Sequence, residues 1–334
     1  MSALAVAERA ERADPREAVG RWARRNMWTL GLIGLLATFI LVTKLIQPSY
    51  GAAQLEGLAI GALPLAMAAV AQAIVVISGG IDLSVGSMMA LTSVTAAALM
   101  QGQSESVAVV VVLGVLLMGI ALGTINGTLV VITRVPDIVV TLAMSFVWAG
   151  AALLVLNTPG GSSSEWLKGL VNGSIGSEWI PRALVTMIVV VGVIWIPLRR
   201  STTGLALYAV GSDRLAAFRS GISVGRTKIL AYALTGLFSA FGGLALTAST
   251  GIGSPVPGAY TLLGVAAIVL GGVSLAGGRG GVAGPIVAVF VLALVRTDLT
   301  LLGVNSNLST VIQGTILIGV VMFGSLLTMR RTRA

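Results

Sequence analysis

Apolar residues run along this chain in blocks of about 20, separated by short stretches that are glycine-rich, polar or basic. A helix rising ~1.5 Å per residue needs about 20 apolar residues to cross ~30 Å of hydrocarbon. The blocks therefore predict ten spans, at about 27–46, 55–77, 82–100, 107–132, 136–156, 182–198, 228–248, 260–275, 282–302 and 309–328. The expected fold class is all-α, a polytopic membrane protein of about ten transmembrane helices. The first block, Met27 to Ile46, exceeds the 7–15 residues of a signal-peptide core and has no clear small-residue cleavage site, so it reads as a span.

Composition agrees with the blocks. Of 334 residues, 56% are hydrophobic and 10% charged, whereas soluble domains run at about 45–50% and roughly 25%. A soluble enzyme is excluded. The net charge of +9 does not point to nucleic acid, because the basic residues sit at the ends of apolar blocks, where charge sets orientation. Seventeen lie on one side: six between Arg9 and Arg25, then Arg134, six from Arg199 to Lys228, Arg279, and Arg330, Arg331 and Arg333. The other side has Lys168 and Arg182, while Lys44 and Arg296 fall inside spans. Lys and Arg collect on the cytoplasmic side, so both termini are expected there. The chain then divides into a basic cytoplasmic segment 1–26, a transmembrane domain 27–328 and a basic cytoplasmic tail 329–334. Two connections are long enough to hold structure, 157–181 outside and 199–228 inside. The first reads as a turn and a short helix carrying Trp166 and Trp179.

The chain has no Cys and no His, which removes thiolate sites, zinc sites of the usual kind and His-dependent triads. Its three lysines follow Thr, Leu and Thr, so the Gly-Lys of a phosphate-binding loop is absent. Near membrane depth the carboxylates are Glu56, Asp82, Asp137 and Asp298, few for a proton or sodium relay. Movement of a solute would then be passive or driven by a motor outside this chain.

The inner connection favours a motor. Leu205 to Val210 and Leu215 to Phe218 are apolar patches in a basic loop, and Ser212 or Asp213 can cap a short helix through about Ser220 that Gly221 ends. Such a helix can enter a groove on a partner or lie on the membrane. The most distinctive polar stretch is Ser78-Gly79-Gly80-Ile81-Asp82-Leu83-Ser84-Val85-Gly86-Ser87. A carboxylate and hydroxyls at that depth either cap the third span, through Asp82 or Ser84, or touch a polar ligand. Gly271-Gly272-Val273-Ser274-Leu275 repeats its Gly-Gly-x-x-Leu frame and hints at internal duplication. Gly119, Gly123 and Gly127 recur every fourth residue and allow a neighbouring helix to approach. Asn126, beside them, can hydrogen-bond a substrate or another helix.

Taken in order, Gly80 to Gly86, Asn126-Gly127, Pro136 with Thr141-Leu142, Tyr208 to Gly211, Ser220-Gly221-Ile222 and Gly271 to Gly280 resemble the ribose-type permeases of ATP-binding-cassette sugar importers, relatives of the branched-chain amino acid permeases. The resemblance runs over about 55–325. It implies a multi-pass protein of the bacterial plasma membrane, a permease dimer with itself or a paralogue, a cytoplasmic ATPase, and an external binding protein delivering a monosaccharide or similar small polar solute. It implies no chemistry or bound cofactor in this chain, since ATP belongs to the partner. Leu215, Ala216, Ala217, Phe218 and Gly221 fall where such permeases insert a coupling helix into the ATPase, with Leu215 at a position that is Glu in the family. Asp82, Ser84, Asn126, Asp137, Thr141, Arg296 and Asp298 are the expected substrate path. Asp137 replaces the small residue usual after Pro136, and Arg296, Thr297 and Asp298 stand where relatives often have paired Asn. Arg296 or Asp298 near the outer mouth would shift solute choice away from plain ribose; the alternative is that each snorkels or pairs with another helix. A self-sufficient carrier or facilitator is the alternative.

Overall fold

Burial divides the apolar helices into two kinds. In the computed structural model, which describes residues 27–256, 258–305, 307–315 and 318–319, 89% of the most apolar stretch of one helix lies inside the protein and only 11% of another. The helices are α1 (Met27–Ile46), α2 (Ala52–Ile77), α3 (Val85–Met100), α4 (Glu105–Thr133), α5 (Asp137–Val155), α6 (Glu165–Val171), α7 (Arg182–Arg200), α8 (Thr202–Ser212), α9 (Arg214–Arg219), α10 (Val224–Thr250), α11 (Tyr260–Leu270) and α12 (Ala283–Leu301). Residues 307–315 are also helical. The central helix is α2, with α10 the next most buried of the long ones, while α1, α4, α5 and α7 keep mostly exposed apolar faces of the kind that lipid covers. The segments 1–26 and 329–334 and most of the tenth expected span lie outside the described residues.

Seven described helices are long and apolar enough to cross a membrane: α1, α2, α4, α5, α7, α10 and α12. The third and eighth expected spans are shorter than their apolar blocks. α3 has 16 residues and α11 has 11, about 24 and 17 Å of helix, against the ~30 Å of a full span. Apolar glycine-containing chain flanks both, and hydropathy alone does not separate it from helix. Of the external connection, α6 forms where a short helix is expected, its first amides held by Glu105 at the start of α4. Trp179 is not on that helix: it lies on β2 (Ser177–Pro181), which pairs antiparallel with β1 (Ser174–Ile175) across Gly176, while Gly173 leads into β1, both glycines at positive φ.

The glycine row of α4 does what its spacing predicts. A Cβ at Gly123 would overlap the Tyr232 carbonyl oxygen of α10, one at Gly119 would meet Ala240 and Gly236, and one at Gly127 would meet Ile229 and Tyr232. Backbones thus touch along the most extensive helix pair in the structure.

The two glycine phrases also correspond, but one residue out of the expected frame. After α2, Ser78, Gly79 and Gly80 donate to the carbonyls of Ile74, Val76 and Val75; after α11, Gly271, Gly272 and Val273 donate to those of Ala267, Val269 and Ile268. This is the same left-handed helix stop, so Gly79 (φ 74°) matches Gly272 (φ 79°) rather than Gly271.

Replacing Gly123 by Val should destabilise the protein by about 3 kcal/mol through forced separation of α4 and α10. Gly114→Ala, where no atom lies within 4 Å of the added carbon, should leave thermal unfolding of the detergent-purified chain unchanged.

Candidate functional site

After α2 stops at Ile77, the chain does not leave the bundle. Gln72 Nε2 donates to the Asp82 carbonyl at 2.7 Å, so residues 78–84 double back along α2 to a level about 7 Å above its end. A loop here must satisfy its own backbone groups. Thr141 Oγ1 on α5 accepts from the Leu83 amide at 3.1 Å, Tyr232 Oη on α10 lies 3.1 Å from the Ile81 carbonyl, and Arg214 on α9 donates to the Gly79 carbonyl at 2.7 Å.

Three of the expected path residues meet in this loop. Asp82 and Ser84 are fully buried, as is Asn126 on α4. Trp148 Nε1 donates to Asn126 Oδ1 (3.2 Å), Asn126 Nδ2 to Ser84 Oγ (2.7 Å), and Ser84 Oγ to Asp82 Oδ1 (2.6 Å), which also receives the Ser84 amide. The donors all run one way and end on the carboxylate, which fixes its rotamer. Asp82 Oδ2 has no partner among the described residues. The expected cap of α3 is corrected: Ser84 holds the N-cap position without a side-chain bond to the helix. Asp82 has already engaged its hydroxyl, and the Gly86 amide bonds Thr261 Oγ1 of α11 instead, at 2.9 Å. The starts of α3 and α11 therefore touch.

Asp137 and Thr141 form a second cluster, one helical turn apart on α5. Asp137 Oδ2 is 2.8 Å from Lys228 Nζ and 3.1 Å from Tyr232 Oη, and the two charged side chains are only 14% and 7% exposed. Lys228 belongs to α10, which begins at Val224, so the inner loop ends earlier than 228 and this lysine is not one of its exposed charges. Gly80 fits against the pair because a Cβ there would sit 2.9 Å from Asp137 Oδ2. Lys228, Tyr232, Trp148 and Arg214 are the residues that spacing did not single out. Lys228 and Tyr232, four apart at one end of a span, were the available signal.

The inner connection holds two helices. Gly211 and Ser212 continue α8, so of the two expected caps it is Asp213 that turns the chain, its Oδ1 accepting from the amides of Leu215 and Ala216 at the start of α9. Leu215, Ala216 and Phe218 are exposed, Ala217 faces inward, and Gly221 (φ 82°) closes the helix. Gly211 lies directly on the end of α2 and on Gly278, with no room for a Cβ. Gly278 in turn donates to the Ile77 carbonyl at 2.9 Å, and Tyr208 Oη to that of Gly280 at 2.8 Å. The end of α2, the turn after α11 and the joint between α8 and α9 are one contact.

Arg296 and Asp298 part company. Asp298 is buried and accepts from Thr43 Oγ1 of α1 at 2.6 Å, so it joins two helices and lines no mouth. Arg296 faces a cavity of about 500 Å³ at the opposite end of α2 from the loop, with Gln47, Tyr50, Gln54, Tyr260 and Thr297 around it.

Removal of Lys228 alone, as Lys228→Met, leaves a buried carboxylate without a cation and should cost about 3–5 kcal/mol. Adding Asp137→Asn should recover most of it, read as unfolding temperature and amount of protein in the membrane.

The comparison with known proteins bears on all of this. Residues 54–321 match the family of branched-chain amino acid transport system permease components. The ribose import permease protein of Escherichia coli (strain K12) is 32% identical over 262 residues, 76% of this chain and 79% of its own. The autoinducer 2 import system permease protein of Salmonella typhimurium (strain LT2) is 30% identical over 314 residues, 90% of this chain and 92% of its own. No solved structure matches at a significant level. With its apolar helices, its doubled-back polar loop and the order of its motifs, this chain belongs to the ribose-type permease family of ATP-binding-cassette importers and is a multi-pass protein of the inner membrane.

Proposed function

We propose that this chain is the membrane subunit of an importer that moves a monosaccharide or similar small polar solute by alternating access, powered by ATP hydrolysis on a separate cytoplasmic subunit. It carries out no covalent chemistry. It pairs with a second permease and receives solute from an external binding protein. It spans the membrane ten times with both termini in the cytoplasm, α3 and α11 completing their crossings through the loops beside them, and the excess of basic residues in the inner connections supports this orientation.

The observation that carries the reading is the bond from Arg214 to the Gly79 carbonyl. It ties the first residue of α9, whose apolar side is exposed for a partner, to the polar loop that breaks a helix inside the bundle. A push on α9 would reach the loop that holds Asp82 and Ser84 without crossing a flexible linker. The apolar Leu215 and Phe218, 57% and 67% exposed, suit a hydrophobic groove, and Arg214 and Arg219 beside them suit an acidic rim.

Uptake of labelled pentoses, hexoses and polyols into vesicles tests this directly. Uptake of one compound should require this chain, its ATPase, its binding protein and hydrolysable ATP together. Equal flux through the chain alone would sink the reading in favour of a facilitator. Phe218→Asp should abolish co-purification of the ATPase. Arg214→Ala should keep the complex intact yet lower solute-stimulated ATP hydrolysis about tenfold, the loss of one charge-assisted hydrogen bond.

A further inference from the structure

The outer cavity is bounded by the end of α1, the beginning of α2, the beginning of α11 and the last turns of α12. Its uncharged polar groups are glutamine amides, a threonine hydroxyl and two phenols, a lining suited to a compound rich in hydroxyls. Three features go beyond that. Arg296 lines the wall and has no ion-pair partner among the described residues. No carboxylate among the described residues lines the cavity; of the nearby ones, Asp298 accepts from Thr43 through Oδ1 alone, and Glu56 accepts from the Gly173 amide at 2.7 Å. The first turn of α11 enters the cavity at Gly258, Ala259 and Tyr260, and no side chain caps it.

Each feature makes the cavity electropositive by a different route. The Arg296 guanidinium faces the open cavity with no carboxylate across from it among the described residues, so its charge stays available to a solute anion. The amide end of an 11-residue helix carries a partial positive charge and unmet donors. Tyr50, 9% exposed, has a hydroxyl without a partner among the described residues. Burial, helped by the Asp298 carboxylate, raises its pKa above an ordinary phenol's, so it remains a donor at neutral pH. Even Lys44 adds to the field from just outside, donating to the Tyr50 carbonyl at 2.7 Å.

We propose that this cavity is a solute site selective for a small polyhydroxy compound bearing one anionic group, which Arg296 and the uncapped start of α11 hold together. The proposal rests on the importer reading for its biological use, but the site itself is testable without an ATPase. A sugar acid or a sugar phosphate has the right chemistry: the anion meets Arg296 as a charge-assisted pair, and the hydroxyls meet Gln47, Gln54 and Thr297. The volume leaves room for a single monosaccharide with a few waters.

The test uses the full-length chain in phosphatidylcholine nanodiscs and three probes, D-ribose, D-ribonate and D-ribose 5-phosphate, with binding followed by thermophoresis. At least one of the two anions should bind tenfold or more tighter than ribose, and which one tells carboxylate from phosphate. Arg296→Gln should erase that preference while leaving ribose affinity within about twofold, and Arg296→Lys should keep part of it. Arg296 is exposed, so neither variant threatens folding. Equal binding of all three probes, or a preference that survives Arg296→Gln, overturns the proposal. Loss of the preference when phosphatidylglycerol replaces phosphatidylcholine also overturns it, because the guanidinium is then a lipid-phosphate site. The two readings fail separately. ATP-dependent uptake of ribose without any anion preference removes this inference and leaves the importer, whereas Arg296-dependent anion binding with ATP-independent flux does the reverse.

Discussion

A broken helix in hydrocarbon must find a partner for every backbone group it frees, and the loop at 78–84 shows how much of this protein is organised to meet that demand. Its carbonyls are met by side chains from four different helices: Gly79 by Arg214 of α9, Ile81 by Tyr232 of α10 and Thr141 of α5, Asp82 by Gln72 of α2. The Ile77 carbonyl just before it is met by Gly278. No one of these helices can shift far without leaving a buried group unpaired, a cost of about 1–3 kcal/mol each. The loop is therefore a hub whose geometry reports the positions of its neighbours.

Glycine makes the hub possible. Where a side chain would stand between two backbones there is none: at Gly211 against α2, at Gly277 (φ 85°) against Gly79 and Gly211, and at Gly80 against Asp137. The row on α4 serves the same end further along, because it brings α10 close enough for Tyr232 and Lys228 to reach α5 and the loop. Such contacts hold at van der Waals distance or separate, with little between. Within the importer reading, an element that rests on such contacts would move between discrete positions, as alternating access requires.

How much of this was legible in the sequence depended on how local each feature was. Long apolar helices were, because span length follows from bilayer thickness; seven of the expected blocks became helices with ends within about four residues. The glycine row and the cap of α9 were legible too, since each depends on spacing within one segment. The shortness of α3 and α11 was not, because a run of small apolar residues reads the same whether it is helix or doubled-back loop. Nor were the pairings that build the hub. Asp82 and Ser84 could be singled out as costly at that depth, but nothing local joins Asn126 to Trp148, or Lys228 to Asp137, 91 residues away. Arg296 and Asp298 show the same limit from the other side. Two apart on one helix, they point to different faces, and only the surrounding helices decide that one is buried against Thr43 while the other lines a cavity.

The hub and the cavity lie at opposite ends of α2, and they differ in a way that bears on direction. Around the hub the chain is stapled: Lys228 to Asp137, Arg214 to Gly79, Gly278 to Ile77, Tyr208 to Gly280. Around the cavity, at the end assigned to the outside, no comparable staple joins α2 to α11 or α12 among the described residues, and α1, α2, α11 and α12 stand apart far enough to leave about 500 Å³ between them. Within the importer reading this is a form closed on the inner side and open to solute from outside. Both ends share α2 and α11: the cavity uses the first residues of each, the hub their last turns and the glycines after them. A movement of α9 that loosened the inner staples would free the ends of these two helices together, and because each runs as one continuous helix from hub to cavity, α2 with Pro64 inside it, it would also change the walls of the cavity. Within that reading, coupling between the partner-facing side and the solute side would need no separate pathway, only the two helices that reach both.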